Sequence, residues 1–160
     1  MSSMPPASRS TEMQPPTDRE ACTALVFGLY LALDTHDYRH LEKLFTPWSR
    51  MTRLGETHAG LPAIAAAFAR RPESLRTRHL VSNLLVEDAA DGATGRFTMT
   101  VVRGRALPGT GLPILVRGPW RVSDVRVHFE KGAAGWRILA LATEAQFEFD
   151  PALDTTEAST

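Results

Sequence analysis

Residues Ser74–Glu87 read S-L-R-T-R-H-L-V-S-N-L-L-V-E, and this stretch predicts a strand that carries an imidazole into an apolar sheet. Counted in twos, His79, Val81, Asn83 and Leu85 fall on one face, and Leu80, Ser82, Leu84 and Val86 on the other. Both faces are largely apolar, so the strand is expected to be covered on both sides. His79 and Asn83 then share a face two steps apart, within reach of one ligand. An imidazole so placed either hydrogen-bonds a neighbouring backbone group or exchanges protons with a ligand near neutral pH.

Outward from this strand, both directions give clear elements. On the N-terminal side, Thr17-Asp18 with Glu20 in the first turn predicts a helix start. Ala21 to Leu33 is apolar nearly all round, which predicts a buried helix, with Tyr30 and Asp34 four residues apart on one stripe. Asp37 reads as the N-cap of a second, short helix, Tyr38 to Phe45, closed by Pro47. Ser49 to His58 predicts a short hairpin about Gly55, and Gly60-Leu61-Pro62 opens a third helix with Ile64 and Phe68 inward.

On the C-terminal side, Gly95 to Arg103 alternates, with Phe97, Met99 and Val101 on one face and Thr98 and Thr100 on the other. Gly104 to Pro119 is a long Gly- and Pro-rich connection of the kind that serves as a lid or contact arm. Trp120 to Glu130 sets Val125, Val127 and Phe129 against Asp124, Arg126 and His128, and Trp136 to Phe147 is the last strand. Three helices followed by an antiparallel run predict an α+β fold, with N-terminal helices packed on a curved, cone-shaped sheet whose mouth holds a small ligand.

Composition bounds the function. The chain has 160 residues, one domain's worth, with eighteen basic and eighteen acidic side chains. It lacks a basic stripe interleaved with aromatics, which argues against nucleic acid. Cys22 is the only cysteine, so no internal disulfide is expected, and a reducing cytoplasm suits the chain. No apolar run reaches the roughly 20 residues of a membrane span, and no signal-peptide pattern opens the sequence. The folded domain is expected over 18–149, between unstructured tails at 1–17 and 150–160. Gly109-Thr110-Gly111 lacks the lysine and strand-to-helix turn of a phosphate loop, so no nucleotide cofactor is expected. His36 and His40 have helical metal spacing, but Asp37 as a cap breaks the pair and no third ligand is evident, so no metal is expected either.

Four stretches together resemble a known family. They are A-L-D-T-H-D-Y-R-H-L-E-K-L-F, G-L-P-A-I-A-A-A-F, T-R-H-L-V-S-N-L-L-V-E and G-W-R-I, and they are similar to SnoaL-like proteins of the nuclear transport factor 2-like superfamily. The resemblance implies a cystatin-like α+β barrel. Within the superfamily, scytalone dehydratase-like enzymes are similar at two positions: their pocket aspartate matches Asp34 and their first pocket histidine matches His79. Their second catalytic histidine would fall near Val102 or Arg103, where this chain has none, and Leu33 stands where they have a tyrosine. The T-R-H-L-V-S-N stretch is also similar to the structural small subunit of aromatic-ring-hydroxylating dioxygenases.

The resemblance implies a cofactor-independent dehydratase, isomerase or cyclase acting on a small polyketide-like or aromatic molecule. Asp34 and His79 would be its catalytic pair, with Asp34 as a base whose pKa burial has raised. Tyr30 and Asn83 would orient substrate oxygens, and Phe97, Met99, Val101 and Trp120 would form an apolar wall. The alternative is a non-catalytic binding module or structural subunit. The outer face of a cone-forming sheet needs cover, so a homodimer or higher homo-oligomer is expected.

Overall fold

The structure is a computed structural model and describes residues 16–109 and 111–149. Apart from Pro16 and Thr17, the expected tails lie outside the described residues. The first helix, α1 (Asp18–Thr35), starts where the capping signal placed it. The Thr17 hydroxyl accepts from the Glu20 backbone N–H at 3.3 Å, and the Glu20 carboxylate accepts from the Thr17 backbone N–H at 2.7 Å. Asp18 in the first turn accepts from Lys131 Nζ at 2.8 Å and Trp136 Nε1 at 2.9 Å, fastening the helix start to the last hairpin. Cys22, Val26, Leu29, Tyr30 and Leu33 are buried on one stripe. Phe27 and Leu31 face out, so the helix is covered on one side rather than all round.

The short helix expected over Tyr38–Phe45 is reduced to a single 3-10 turn, Leu41–Lys43. Asp37 does not cap that turn: its carboxylate accepts from Arg39 just ahead of it, from the backbone N–H at 3.3 Å, Nε at 2.8 Å and Nη2 at 2.7 Å. Phe45 instead opens β1 (Phe45–Arg53), which turns through Gly55 into β2 (Glu56–Ala59), the expected hairpin. Pro47 is tolerated in β1 because its pairing to the last strand skips from Phe45 to Arg50. The second helix, α2 (Leu61–Ala69), buries Ile64, Ala67 and Phe68.

Four long strands follow: β3 (Leu75–Ala89), β4 (Gly92–Arg105), β5 (Arg121–Gly132) and β6 (Gly135–Glu148). With β1 and β2 they form one sheet in the order β2-β1-β6-β5-β4-β3. The sheet is curved and unclosed. Every pair is antiparallel except β1–β6, which is parallel, so the sheet is mixed. Phe97, Met99, Val101, Val125, Val127, Phe129, Ile138 and Leu141 are buried on the face toward the helices.

Curvature has local causes. A bulge in β3 puts three steps, Ser82 to Leu85, opposite two on β4, and Asn83 at its centre takes a left-handed φ of 55°. Further register shifts fall at Val122/Ser123 and His128/Phe129. Gly95 lets β5 come close, for a Cβ there would lie 2.7 Å from Val127 Cγ1 and 3.1 Å from the Phe129 ring. No helix among the described residues is long and apolar enough to cross a membrane.

Candidate active site

The concave side of the sheet, roofed by α1 and α2, encloses a cavity of about 390 Å³, within the usual range for a small-molecule site. His79 of β3 is on its wall. Asp34, in the last turn of α1, lies against His79 Nδ1 at 2.6 Å, and the side chains are only 11% (Asp34) and 8% (His79) exposed. The helix C-terminus is an unfavourable place for a carboxylate, and the fold compensates with donors. Asp34 Oδ2 accepts from the His79 backbone N–H at 2.9 Å, and Oδ1 accepts from the Thr77 hydroxyl at 2.8 Å. Arg71 Nη2 donates in turn to Thr77 Oγ1 at 2.9 Å and to the Leu33 carbonyl at 3.3 Å. A chain of hydrogen bonds therefore runs Arg71–Thr77–Asp34–His79.

His36, in a left-handed C-cap with φ 56°, ties this helix end to β3 by donating Nε2–H to the Leu75 carbonyl at 2.8 Å. That contact sets Asp34 against the strand. It also leaves His36 and His40 without a shared ligand, and no group of three or more possible metal ligands occurs among the described residues.

The electrostatics of Asp34 differ from the sequence expectation. Burial alone would raise its pKa, but the hydrogen bonds from the His79 ring, the His79 backbone and Thr77, with the His79 charge, leave it below the ordinary carboxylate value. Asp34 is thus an ionised acceptor rather than a base with a raised pKa. An acceptor-only carboxylate at Nδ1 requires that nitrogen to carry hydrogen, so the neutral imidazole keeps its lone pair on Nε2. Asp34 stands behind His79, and His79 meets the cavity.

Tyr30 stacks on the His79 ring at 5.0 Å and 29°, and also borders the cavity. Burial pushes its phenol pKa up, so it stays protonated and can donate. Met99 and Val101 lie on the cavity wall, on the face their alternation gave them, and Trp120 lies there too. Phe97 does not. It is buried one layer back, with its ring edge-on to Tyr30 at 5.8 Å, because Tyr30 occupies the space between it and the cavity. Asn83 is exposed and away from the cavity, since the bulge at its left-handed backbone breaks the two-residue repeat that had joined it to His79. Below the bulge Thr77, His79 and Val81 face the helices, and above it Leu84 and Val86 do.

Several cavity residues were not singled out from the sequence. Arg53, Arg71, His58 and Ser123 all border it. Arg53 lies two residues beyond the buried Met51 in β1, and Ser123 two before the buried Val125 in β5, so strand alternation could have found both. His58, in β2, is 12% exposed at the side chain and 3.8 Å from Glu56.

Comparison with known proteins places this geometry. The SnoaL-like domain family matches residues 15–142. Among solved structures, an NTF2-like protein with a cystatin-like fold from Novosphingobium aromaticivorans is 25% identical, with a TM-score of 0.66 over 86% of this chain and 87% of that one. An NTF2-like superfamily protein from Salmonella enterica serovar Typhimurium is 13% identical, with a TM-score of 0.67 over 84% and 94%. ActVI-ORFA from Streptomyces coelicolor is 16% identical, with a TM-score of 0.63 over 78% and 93%. The last two share the fold alone. No curated protein matches the chain.

Proposed function

Because this chain belongs to the SnoaL-like domain family, we propose that it is a cofactor-independent acid–base enzyme. Its substrate is a small hydrophobic carbonyl compound, polyketide-like or aromatic, and its reaction a dehydration, isomerisation or cyclisation that begins with proton abstraction. The observation that carries this reading is the 2.6 Å contact between Asp34 and His79 at the wall of a partly apolar cavity. In this reading His79 Nε2 takes a proton from the carbon beside the carbonyl, and the electron pair moves onto the carbonyl oxygen. The Tyr30 phenol donates to that oxygen as charge builds. Asp34 stabilises the imidazolium, which returns its proton to the product.

Deuterium exchange into 2-tetralone, followed by NMR in heavy water, isolates the first step and needs no knowledge of the natural substrate. The native protein should exchange the α-protons faster than buffer. His79→Ala should fall to the buffer rate, and Asp34→Asn should lose about 10²–10⁴ of the enhancement. The double variant should be little worse than the poorer single one, as for residues that act as a unit. Undiminished exchange by folded His79→Ala would end the proposal.

A further inference from the structure

Charge is balanced over the whole chain, yet it is not balanced at the cavity. Eighteen basic and eighteen acidic residues cancel in the sequence. Around the cavity stand Arg53, Arg70, Arg71, Arg103 and Arg121, with Glu56 the acidic residue among the lining side chains. Three of these arginines have other contacts or face solvent, although the Arg121 Nε is buried with no partner. Arg121 pairs with Glu148, Arg103 lies over the Trp120 ring at 3.9 Å, and Arg70 is exposed.

Arg53 and Arg71 are different. Among the described residues the Arg53 guanidinium has no salt bridge and no side-chain hydrogen bond, and it is only partly accessible. Burial, and then the neighbouring charge of Arg71, pull its pKa down, so its cationic form is held in an unfavourable place. Arg71 spends Nη2 on Leu33 and Thr77, but its Nε is buried with no partner. Ser123, also on the cavity wall, is 0% exposed, and its hydroxyl has no partner either. Buried donors of this kind are rare in proteins unless something supplies the acceptor.

We propose that Arg53 and Arg71 form an anion site inside the cavity, and that the ligand is a carboxylic acid on an aromatic or alicyclic body. The acid group lies on the two guanidiniums, whose planar donors match two carboxylate oxygens. The apolar body packs among Met51, Met99, Val101, Leu141 and Trp120. The Ser123 hydroxyl serves a second oxygen of the ligand. Arg71 also joins this site to the dyad, because it begins the hydrogen-bonded chain that ends on His79. The proposal rests on the acid–base reading only in that both concern one ligand in one cavity.

Titration calorimetry with 2-naphthoate and 2-naphthamide tests it, since the two share a ring system and bulk and differ in charge. The native protein should bind the acid roughly ten- to a hundredfold more tightly than the amide. Arg53→Met should erase most of that preference, with the loss falling on the acid far more than on the amide. Arg53 makes no side-chain hydrogen bond that the fold would lose, and a melting curve checks that the variant is folded. Arg71→Lys keeps the charge and should retain part of the preference. Equal affinities in the native protein, a preference that survives Arg53→Met, or no binding of either probe by the folded protein each overturn the proposal. 2-Tetralone is neutral, so deuterium exchange can succeed where this fails, and the naphthoate preference can stand where exchange is absent. The two readings therefore fail separately.

Discussion

Asp34 is one residue from the end of α1, yet its charge is held by donors that all come from β3. That arrangement fixes a pH dependence. A carboxyl whose pKa is lower in the folded chain than in the unfolded one stabilises the fold fully above the unfolded value, about 3.9. The contribution is lost as the pH falls through the folded value. Urea denaturation should therefore show native protein more stable than Asp34→Asn at about pH 6, with the gap closing toward about pH 3. A gap that widens on acidification would contradict the ionised state assigned to Asp34. Cys22 gives a second residue-level expectation. Burial first, and then Asp18 and Asp88, raise its thiol pKa to about 11, so almost none of it is thiolate near neutrality. It should resist a disulfide reagent at about pH 8 until denaturant exposes it. That Asp34 and His79 meet was legible from the family pattern, but which side of His79 the aspartate takes was not. Asp34 and His79 are 45 residues apart, and only the docking of the helix end through His36 decides it.

Among the elements, β4 and β5 were readable because their alternation is unbroken on the core face, from Phe97 to Val101 and from Val125 to Phe129. In β3 the reading stopped at Asn83, where one extra residue shifts the phase. Asparagine tolerates a left-handed backbone better than other residues that carry a Cβ, so its presence in an otherwise β-branched and leucine-rich strand was a signal of the bulge. Asn83→Gly should therefore be close to neutral. Asn83→Val should cost about 1–3 kcal/mol, the usual cost of forcing such a residue into this region, measured as a shift in urea midpoint. If valine is as stable as asparagine, the bulge is not specified by this residue. The second predicted helix shrank to one turn, and Asp37 closes a local contact with the Arg39 backbone and side chain ahead of it. Arg53 escaped notice because an arginine near a strand end ordinarily faces water.

For the whole molecule, the outer face of the sheet carries charge in rows. Asp124 lies directly across from Glu144, and Arg96 directly across from Arg126 on the adjoining row, all exposed. Like charges opposite one another on neighbouring strands are destabilising. A second copy related by a two-fold axis would bring the acidic row of each chain over the basic row of the other. We propose such a homodimer. Sedimentation at micromolar concentration should give twice the 17.6 kDa of one chain, and Arg96→Glu with Arg126→Glu should dissociate it. A monomer in the native protein would rule the arrangement out.

The strand order also dictates when the protein can be finished during its synthesis. The hairpin of β1 and β2 leaves the ribosome early, but its sheet neighbour, β6, is made last among the described strands. Strands β3, β4 and β5 can pair in turn as they emerge, whereas β1 must wait with one edge open. The start of α1 waits too, because Lys131 and Trp136, which hold Asp18, belong to the same late hairpin. A message broken between β5 and β6 therefore yields a chain with two separate sheet fragments and a helix start that has lost Trp136. Such a product would be marked for a protease or an aggregate rather than for partial activity.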